Sequence, residues 1–219
     1  MATEAVRTVT DLAEQRWGLV TTAQAAQVGV SRAQMSYMAT SGTLVRVAQG
    51  VYRVAGAPEH EFEPILATWM ALGGPTLPLV APGVSAVVAA GATATILHRL
   101  GTFMPGGGDF IVPARRFTRL PGVRLRVRVL DRSDVTHAEG VPTLTVERTV
   151  ADLVASTDLS LVADVVRDAV DQGRLVRPAK LIDHLDPLAR GHGFGDGHAL
   201  AEHLFDLAGT TPPSVIGSR

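Results

Sequence analysis

Apolar residues in the first part of the chain recur every three or four positions, the spacing of α-helices that bury one face. Two of these segments open with a hydroxyl side chain followed three residues later by glutamine: Thr21 with Gln24, and Ser31 with Gln34. In such a capping box the hydroxyl accepts a hydrogen bond from the helix's third amide, while the glutamine reaches back to the cap residue. The predicted helices cover about residues 9–16, 22–28 and 32–41.

Only Gly29 and Val30 separate the second predicted helix from the third, so the two helices must meet at a sharp turn. Glycine readily adopts the positive φ that such a turn requires. Ala25, four residues before Gly29, is small enough for the two helices to cross closely. The side chains predicted to point into the angle between the helices are Val28, Val30, Met35 and Met38. The segment therefore has the pattern of a helix-turn-helix.

After Gly42 the apolar period changes from about 3.6 residues to about 2, which indicates β-strands. The alternating residues are Leu44, Val45 and Val47 before the sequence "AQG", and Val51, Tyr52 and Val54 after it. Two such runs with a short connection predict a β-hairpin. Three helices followed by a hairpin predict a winged helix-turn-helix.

The stretch "AGAPEHEFEP", residues 55–64, is polar and contains proline, and we place a domain boundary within it. The helices predicted beyond it are 62–72, 84–100, 146–155, 159–172, a short one from Pro178, and 198–208; the predicted strands are 77–81, 109–113 and 123–130. The expected fold class is α+β. The expected domains are a winged helix-turn-helix at residues 1–57 and a larger mixed α/β domain, with a small sheet and several helices, at 58–209; a flexible tail is expected at 210–219.

The run from Ile65 to Leu97 has no charged side chain and is as long as a membrane span. Prolines and glycines interrupt this run, and its later half is mostly alanine, glycine, threonine and serine, which gain little from entering lipid. We therefore expect a buried core segment and no membrane partner. The chain contains no cysteine and begins without an apolar leader, which favours a cytoplasmic protein.

The net charge of −1 does not by itself predict a nucleic-acid partner, but the charges are unevenly distributed. The residues through Arg132 include 13 basic and 8 acidic side chains, whereas the remainder includes 7 and 13. Only Lys180 among the basic residues is a lysine. Because such an arginine bias often reflects a GC-rich coding sequence, the placement of the arginines is more informative than their number.

In a winged helix-turn-helix the third helix lies in the major groove, where its outward residues meet base edges. The candidate DNA-binding residues on this helix are Arg32, Ala33, Gln34, Ser36, Tyr37 and Thr40. Arg32 is suited to bidentate contact with guanine, whereas the capping role of Gln34 competes with reading adenine. In the wing, Arg46 and Arg53 are candidates for contact with phosphates or the minor groove. The alternative is a winged helix that binds protein and whose third helix is merely solvated.

A second group of arginines lies beyond the predicted head. Arg115, Arg116 and Arg119 are candidates for secondary phosphate contacts. In the predicted strand 123–130, valines and leucine alternate with Arg124, Arg126 and Arg128, which we expect to line one face. These three arginines are candidates to extend the same phosphate-binding surface. The alternative for this stripe is a sheet face that charge keeps soluble and protects from edge pairing.

The sequence contains no motif of the common enzyme classes: no phosphate-binding loop after a strand, no nucleophile elbow and no HExxH. We therefore expect no catalytic residue, no cofactor and no metal ion. His198 and His203 are five residues apart, so on one helix their side chains diverge, and no carboxylate or thiolate set completes a metal site with them and His192. A nuclease site needs clustered carboxylates and a nearby lysine, and Lys180 has no acidic residue two positions before it.

The segment from Arg16 to Val54 resembles the N-terminal winged-helix domain of the AbiEi antitoxin family of type IV toxin-antitoxin systems. The shared motifs are "G-x-x-T" from Gly18, "A-x-x-x-G-[VI]" from Ala25, and "G-x-Y" from Gly50. The later stretch "GVPTLTVERTVADLVA", residues 140–155, is similar to a segment of the larger α/β domain that follows such heads.

The resemblance implies a sequence-specific, DNA-binding transcriptional regulator that is the antitoxin and autorepressor of a type IV toxin-antitoxin pair. Its expected partners are double-stranded DNA, at inverted repeats in the promoter operator, and a nucleotidyltransferase-like toxin that it neutralises without a stable complex. Two alternatives stay open at this point: a stand-alone winged-helix regulator, and a DNA-binding head on a nuclease-like domain.

Overall fold

The structure is a computed structural model that describes residues 2–104 and 106–213. The chain begins with α1 (Ala2–Glu14), β1 (Leu19–Thr21), α2 (Thr22–Gln27) and α3 (Arg32–Thr40). α1 begins earlier than the predicted residue 9, because its buried face, formed by Ala5, Val9 and Ala13, continues at a spacing of four toward the N-terminus. A small residue such as Ala5 gives only a weak apolar signal in the sequence.

The helix-turn-helix predicted from the sequence is present with both of its capping boxes. Thr21 Oγ1 accepts from Gln24 N at 3.0 Å, and Ser31 Oγ accepts from Gln34 N at 3.2 Å. Gly29 has a φ of +81°, as the turn requires. The predicted inward residues Val30, Met35 and Met38 are buried around Ala25. Val28 was predicted to join them, but this was wrong: it follows the last residue of α2 as its C-cap and is 44% exposed.

The predicted hairpin is formed by β2 (Leu44–Ala48) and β3 (Val51–Val54), which Gln49 and Gly50 connect. A third strand, β1, pairs with the other side of β3, so the sheet is antiparallel with the order β1-β3-β2. The sequence did not predict β1, because three residues are too few to show an alternating pattern.

The chain continues with α4 (Glu63–Ala71), β4 (Val88–Ala89), α5 (Gly91–Leu97), β5 (Asp109–Val112), β6 (Arg124–Val127), β7 (Val135–Ala138) and β8 (Val141–Leu144). The five strands form a mixed sheet with the order β6-β5-β4-β8-β7. β5 pairs with β6 in parallel, as β4 does with β8, and the other neighbours are antiparallel. Phe110, on β5, is fully buried.

Four helices complete the described chain: α6 (Val146–Val154), α7 (Leu159–Asp171), α8 (Pro178–Ala189) and α9 (Gly197–Ala208). They pack on one another around Leu181, Leu185, Leu200 and Leu204, which are fully buried. α8 is longer than the predicted short helix but begins at the predicted Pro178. The predicted α+β fold, a winged helix-turn-helix followed by a larger mixed region with a small sheet and several helices, is confirmed.

Two predicted elements between residues 77 and 100 were wrong. The predicted buried strand 77–81 is irregular, and Leu77, Leu79 and Val80 are exposed. Prolines on both sides of this segment remove backbone donors that a buried strand would need. The predicted helix 84–100 is instead β4 followed by α5, and the break lies at Ala90, whose extended backbone caps α5.

The alternation predicted for residues 123–130 was also wrong. β6 covers only the middle part of this segment. Val127 and Val129, predicted to lie on the face opposite the arginines, are 52% and 95% exposed. Arg126, predicted to lie on an exposed arginine face, has a side chain that is only 12% exposed. The reason is an ion-pair cluster, described below, that draws this arginine into the protein.

A continuous hydrophobic cluster connects the wing sheet with the region that follows it. Leu19 and Val51 of the wing sheet pack with Phe62 and Leu66 of the α4 region, and Trp17 packs against the same cluster. The residues on the two sides of the domain boundary predicted at residue 57 therefore share a hydrophobic core. The boundary itself stays a prediction.

None of the helices within residues 2–104 and 106–213 combines the length and the apolar character that crossing a membrane requires. The uncharged run 65–97 is divided among α4, an irregular segment, β4 and α5. The tail predicted at 210–219 lies mostly outside the described residues, since the description ends at Pro213.

Candidate nucleic-acid interface

The polar face of α3 is open to solvent. Met35 and Met38 fix its other face in the core of the head. The exposed residues of α3 are Arg32, Ala33, Gln34, Ser36, Tyr37 and Thr40, which are the candidates chosen from the sequence. Tyr37 is 68% exposed, more than is usual for an aromatic side chain. α3 thus presents an uncovered, mostly polar face of the kind that enters a major groove.

Two of the α3 candidates already make hydrogen bonds within the helix. Gln34 Oε1 accepts from Ser31 N at 2.8 Å, and Thr40 Oγ1 donates to Ser36 O at 2.9 Å. A bidentate contact with adenine needs both the carbonyl and the amino group of a glutamine. The hydrogen bond to Ser31 occupies part of the Gln34 carbonyl, so the geometry favours the capping role of this residue.

The two wing arginines have different surroundings. Arg46, on β2, is exposed. Arg53, on β3, has a side chain only 12% exposed: its Nη1 donates to Ala57 O at 2.8 Å, its Nη2 donates to Glu59 Oε1 at 2.7 Å, and its Nε lies 3.0 Å from Glu63 Oε2. The guanidinium of Arg53 therefore fastens the wing to the segment leading into α4, whereas that of Arg46 is accessible to a phosphate.

Residues 113–120 follow β5, and we call them the arginine loop. Arg116 is partly buried and donates a hydrogen bond from Nη2 to Leu72 O, at the end of α4. Burial lowers the pKa of the Arg116 guanidinium. Arg115 and Arg119 are exposed. Arg116 thus anchors the loop, while its two neighbouring arginines project into solvent.

Phe117 is a part of this surface that was not among the candidates chosen from the sequence. Its side chain is 90% exposed, and the Arg115 guanidinium carbon lies 5.6 Å from the centre of its ring. A cation at this distance is attracted by the ring electrons, so the two side chains support each other. The signal in the sequence was an aromatic residue inside the arginine run "ARRFTR".

A cleft of about 410 Å³ lies between the head and the arginine loop. Arg32, at the start of α3, and Gln49 and Gly50, at the wing turn, line one side, and Arg116 and Arg119 line the other. Within the part of the chain that the structure describes, the lining includes three arginines and no carboxylate. The structure thus places the secondary candidates Arg116 and Arg119 in the same cleft as the first residue of α3.

The arginines of β6 do not extend this surface as a stripe. Arg126 Nε donates to Asp109 Oδ1 at 2.9 Å, and its Nη1 donates to Asp152 Oδ1 at 2.6 Å. Arg128 Nη1 lies 3.9 Å from the same Asp152 oxygen, and Arg124 remains exposed. Burial raises the pKa of Asp109, and Arg126 opposes that rise. Asp152 also accepts from the Gly91 amide at 3.0 Å, so this cluster fastens β6 to α5 and α6.

The side chains of three histidines and of Lys180 contact neighbouring residues of the fold. His98 is buried, and its Nε2 lies 2.8 Å from Leu144 O, so its side chain joins the end of α5 to β8. Lys180 Nζ lies 3.9 Å from Asp183 Oδ2 on the same helix. His198 pairs with Glu202 one turn away, and His203 packs against Phe194. Within residues 2–104 and 106–213, no three or more histidine, aspartate or glutamate side chains are grouped so that they could hold a metal ion.

The fold has a counterpart among solved structures. The crystal structure of the RV2827C protein from Mycobacterium tuberculosis is similar over 95% of this chain and 78% of that chain, with a TM-score of 0.58 and 20% sequence identity. At this identity the likeness concerns the fold. No curated protein matches the chain.

The head is also similar in sequence to a known family. Residues 7–55 match the model of a family described as a transcriptional regulator, AbiEi antitoxin. The matched residues include the helix-turn-helix and the wing, whose exposed face was described above, and the resemblance noted for the segment from Arg16 to Val54 is thereby confirmed. The similarity noted for residues 140–155 lies outside the match and stays a prediction. The head of this chain, residues 7–55, is therefore similar to the AbiEi antitoxin family of transcriptional regulators.

Proposed function

We propose that this protein is a sequence-specific transcriptional regulator that binds duplex DNA through α3 and the wing. The observation that carries the proposal is the uncovered polar face of α3, held outward by the buried Met35 and Met38. The match of residues 7–55 to a family of transcriptional regulators supports it independently.

The residues of α3 divide between base edges and phosphates. Arg32 reads a guanine, because its planar guanidinium can donate to two acceptors on that base. Ala33, Ser36, Tyr37 and Thr40 contact bases or the neighbouring backbone along the same face. Arg46 contacts a phosphate from the wing. Arg53 is not part of this proposal, because two carboxylates hold its guanidinium.

In the cell we propose that the protein acts in the cytoplasm as the antitoxin and autorepressor of a type IV pair. Its operator comprises inverted repeats in the promoter that it shares with a nucleotidyltransferase-like toxin, and it neutralises that toxin without a stable complex and without catalysis of its own. The family description of residues 7–55 as an AbiEi antitoxin supports this role. A nucleotidyltransferase-like gene beside that of this chain would agree with it.

The regulator is tested by selecting duplexes from a random library with the full-length protein. The selected duplex should bind more tightly than a scrambled duplex of the same length and composition at physiological salt. If the protein binds no duplex even at low salt, where electrostatic attraction is strongest, the proposed function fails.

The antitoxin role needs a separate experiment. The neighbouring toxin gene should arrest growth when expressed alone, and co-expression of this chain should restore growth. A chain with Arg32→Ala should still restore growth if neutralisation does not depend on DNA binding. Arrest that persists in the presence of the wild-type chain would contradict the antitoxin role and leave the DNA-binding regulator intact.

A further inference from the structure

We infer that the arginine loop, residues 113–120, is a second DNA-binding element, and that one strand of the duplex backbone lies in the cleft between this loop and the head. The inference rests on the proposed DNA binding by α3, and it adds a contact outside the residues that match the family. Its basis is the position of the loop, the charge of the cleft and the exposure of Phe117.

The position of the loop follows from the residues that share the cleft. Arg32 begins the helix that enters the major groove, and Gly50 lies at the wing turn, which meets the strand bordering that groove. Both residues line the cleft whose opposite wall is formed by Arg116 and Arg119. A backbone strand that passes Arg32 and the wing turn would therefore also pass the arginine loop.

The charge of the cleft fits a phosphodiester backbone. Three arginines and no carboxylate line it within the described chain, although the protein as a whole carries a net charge of −1. Gln49 adds a side-chain amide that can donate hydrogen bonds to phosphate oxygens. Arg116 is held by Leu72 O, so the loop keeps its shape before DNA arrives. This preorganisation reduces the entropy lost on binding.

A DNA contact accounts for the exposed apolar ring of Phe117 beside the arginines of the loop. A phenylalanine that is 90% exposed is unfavourable in water. Proteins that bind in a DNA groove combine apolar side chains that pack against base steps with arginines that contact the same groove. In the inferred complex the two arginines contact phosphates on either side, and the ring of Phe117 packs between them. Arg116 has a positioning role through Leu72 and makes the smaller direct contribution.

The test measures the salt dependence of duplex binding for the full-length protein and its variants. Each neutralised phosphate contributes about 0.9 to the slope of log K against log salt. The double variant Arg115→Ala/Arg119→Ala loses two such contacts, so its negative slope should be less steep than that of the wild type by about 1.8. Arg190→Ala, which removes an exposed arginine at the end of α8 and outside the cleft, is the matched control and should leave the slope unchanged. Phe117→Ala should weaken binding about tenfold without changing the slope, since it removes apolar contact alone.

The outcomes separate this inference from the proposed function. If the wild-type protein binds the selected duplex and the double variant has the same slope as Arg190→Ala, the arginine loop is not a DNA contact and the regulator stands. If the wild-type protein binds no duplex, the proposed function itself fails.

A second experiment uses adenosine monophosphate as a probe for a small phosphorylated ligand in the cleft. If it raises the melting temperature of the wild type but not of Arg119→Ala, while the duplex slopes are equal, the cleft is a small-anion site and the inference is overturned.

Discussion

Arg32 is the residue whose replacement tests base reading most directly. Arg32→Ala should weaken binding to the selected operator by about 1–3 kcal/mol and relax the preference at one base pair, because a bidentate donor to guanine is lost. The measurement is a titration against a panel of operators that each carry one base change. Arg7→Ala, on the exposed side of α1, is the control and should leave the panel unchanged. An equal loss on every duplex would show that Arg32 contacts phosphate and would contradict its assignment to a base.

Replacing the two wing arginines should affect different properties, DNA binding for Arg46 and stability for Arg53. Arg46→Ala should weaken binding to all duplexes alike and lower the salt slope by about 0.9, since a phosphate contact is lost. Arg53→Ala should leave the salt slope unchanged but lower the free energy of unfolding by about 1.5 to 3 kcal/mol, because it removes charged hydrogen bonds to Ala57 O and Glu59. Urea denaturation and duplex titration of both variants check this. A lowered slope with Arg53→Ala would mean that its ion pairs open on DNA.

At the scale of elements, the turn between α2 and α3 depends on the backbone of one residue. Gly29 has a φ of +81°, and a Cβ added there would meet no heavy atom within 4 Å. Gly29→Ala should therefore lower the free energy of unfolding by about 1–2 kcal/mol through backbone strain alone, and Gly29→Asn should lower it less because asparagine tolerates this conformation. Gly191→Ala, where an added Cβ is also unhindered and φ is not left-handed, is the control. Equal stability of Gly29→Ala and Gly191→Ala would contradict this account of the turn.

The elements predicted correctly from the sequence are those whose structure depends on residues close to one another in the sequence. The capping boxes at Thr21 and Ser31 each span four residues, so their hydrogen bonds were predictable from local spacing. β1 was not predictable, because its strand character comes from pairing with β3, 30 to 34 positions further along the chain. Sequence patterns of short range contain no information about such partners.

In the candidate site, too, the features set by neighbouring residues were predicted, and those set by residues distant in sequence were not. The exposed residues of α3 follow from helical period and were predicted, since the buried methionines lie on the opposite face. The position of Arg126 was wrong because its partners Asp109 and Asp152 lie 17 and 26 residues away. An alternating pattern alone cannot distinguish an exposed arginine from one that a buried carboxylate draws inward. The cleft likewise joins parts of the chain that are distant in sequence.

At the scale of the whole molecule, two partly or fully buried histidines make stability depend on pH. Burial lowers the pKa of His98 below 6.5; nearby Arg174 also lowers it, while the hydrogen bond to Leu144 and the charge of Glu147 oppose the shift. Burial likewise lowers the pKa of His184, with Asp134 acting in the opposite direction. The unfolded chain therefore takes up protons below pH 6.5 that the folded chain does not. The stabilisation is present above this pH and is lost as the pH falls toward the folded-state pKa values.

The free energy of unfolding should consequently decrease as the pH is lowered from about 7 to about 5.5, by at most about 1.4 kcal/mol per pH unit for each histidine. His98→Gln should flatten this dependence, because the glutamine amide can donate to Leu144 O as the imidazole does but does not take up a proton. His192→Gln, on the exposed turn after α8, provides the matched control. Urea denaturation of the wild type and both variants at several pH values measures the effect. If His98→Gln and His192→Gln show the same pH dependence, the buried imidazole of His98 is not a source of acid sensitivity, and the fastening of α5 to β8 does not depend on its protonation.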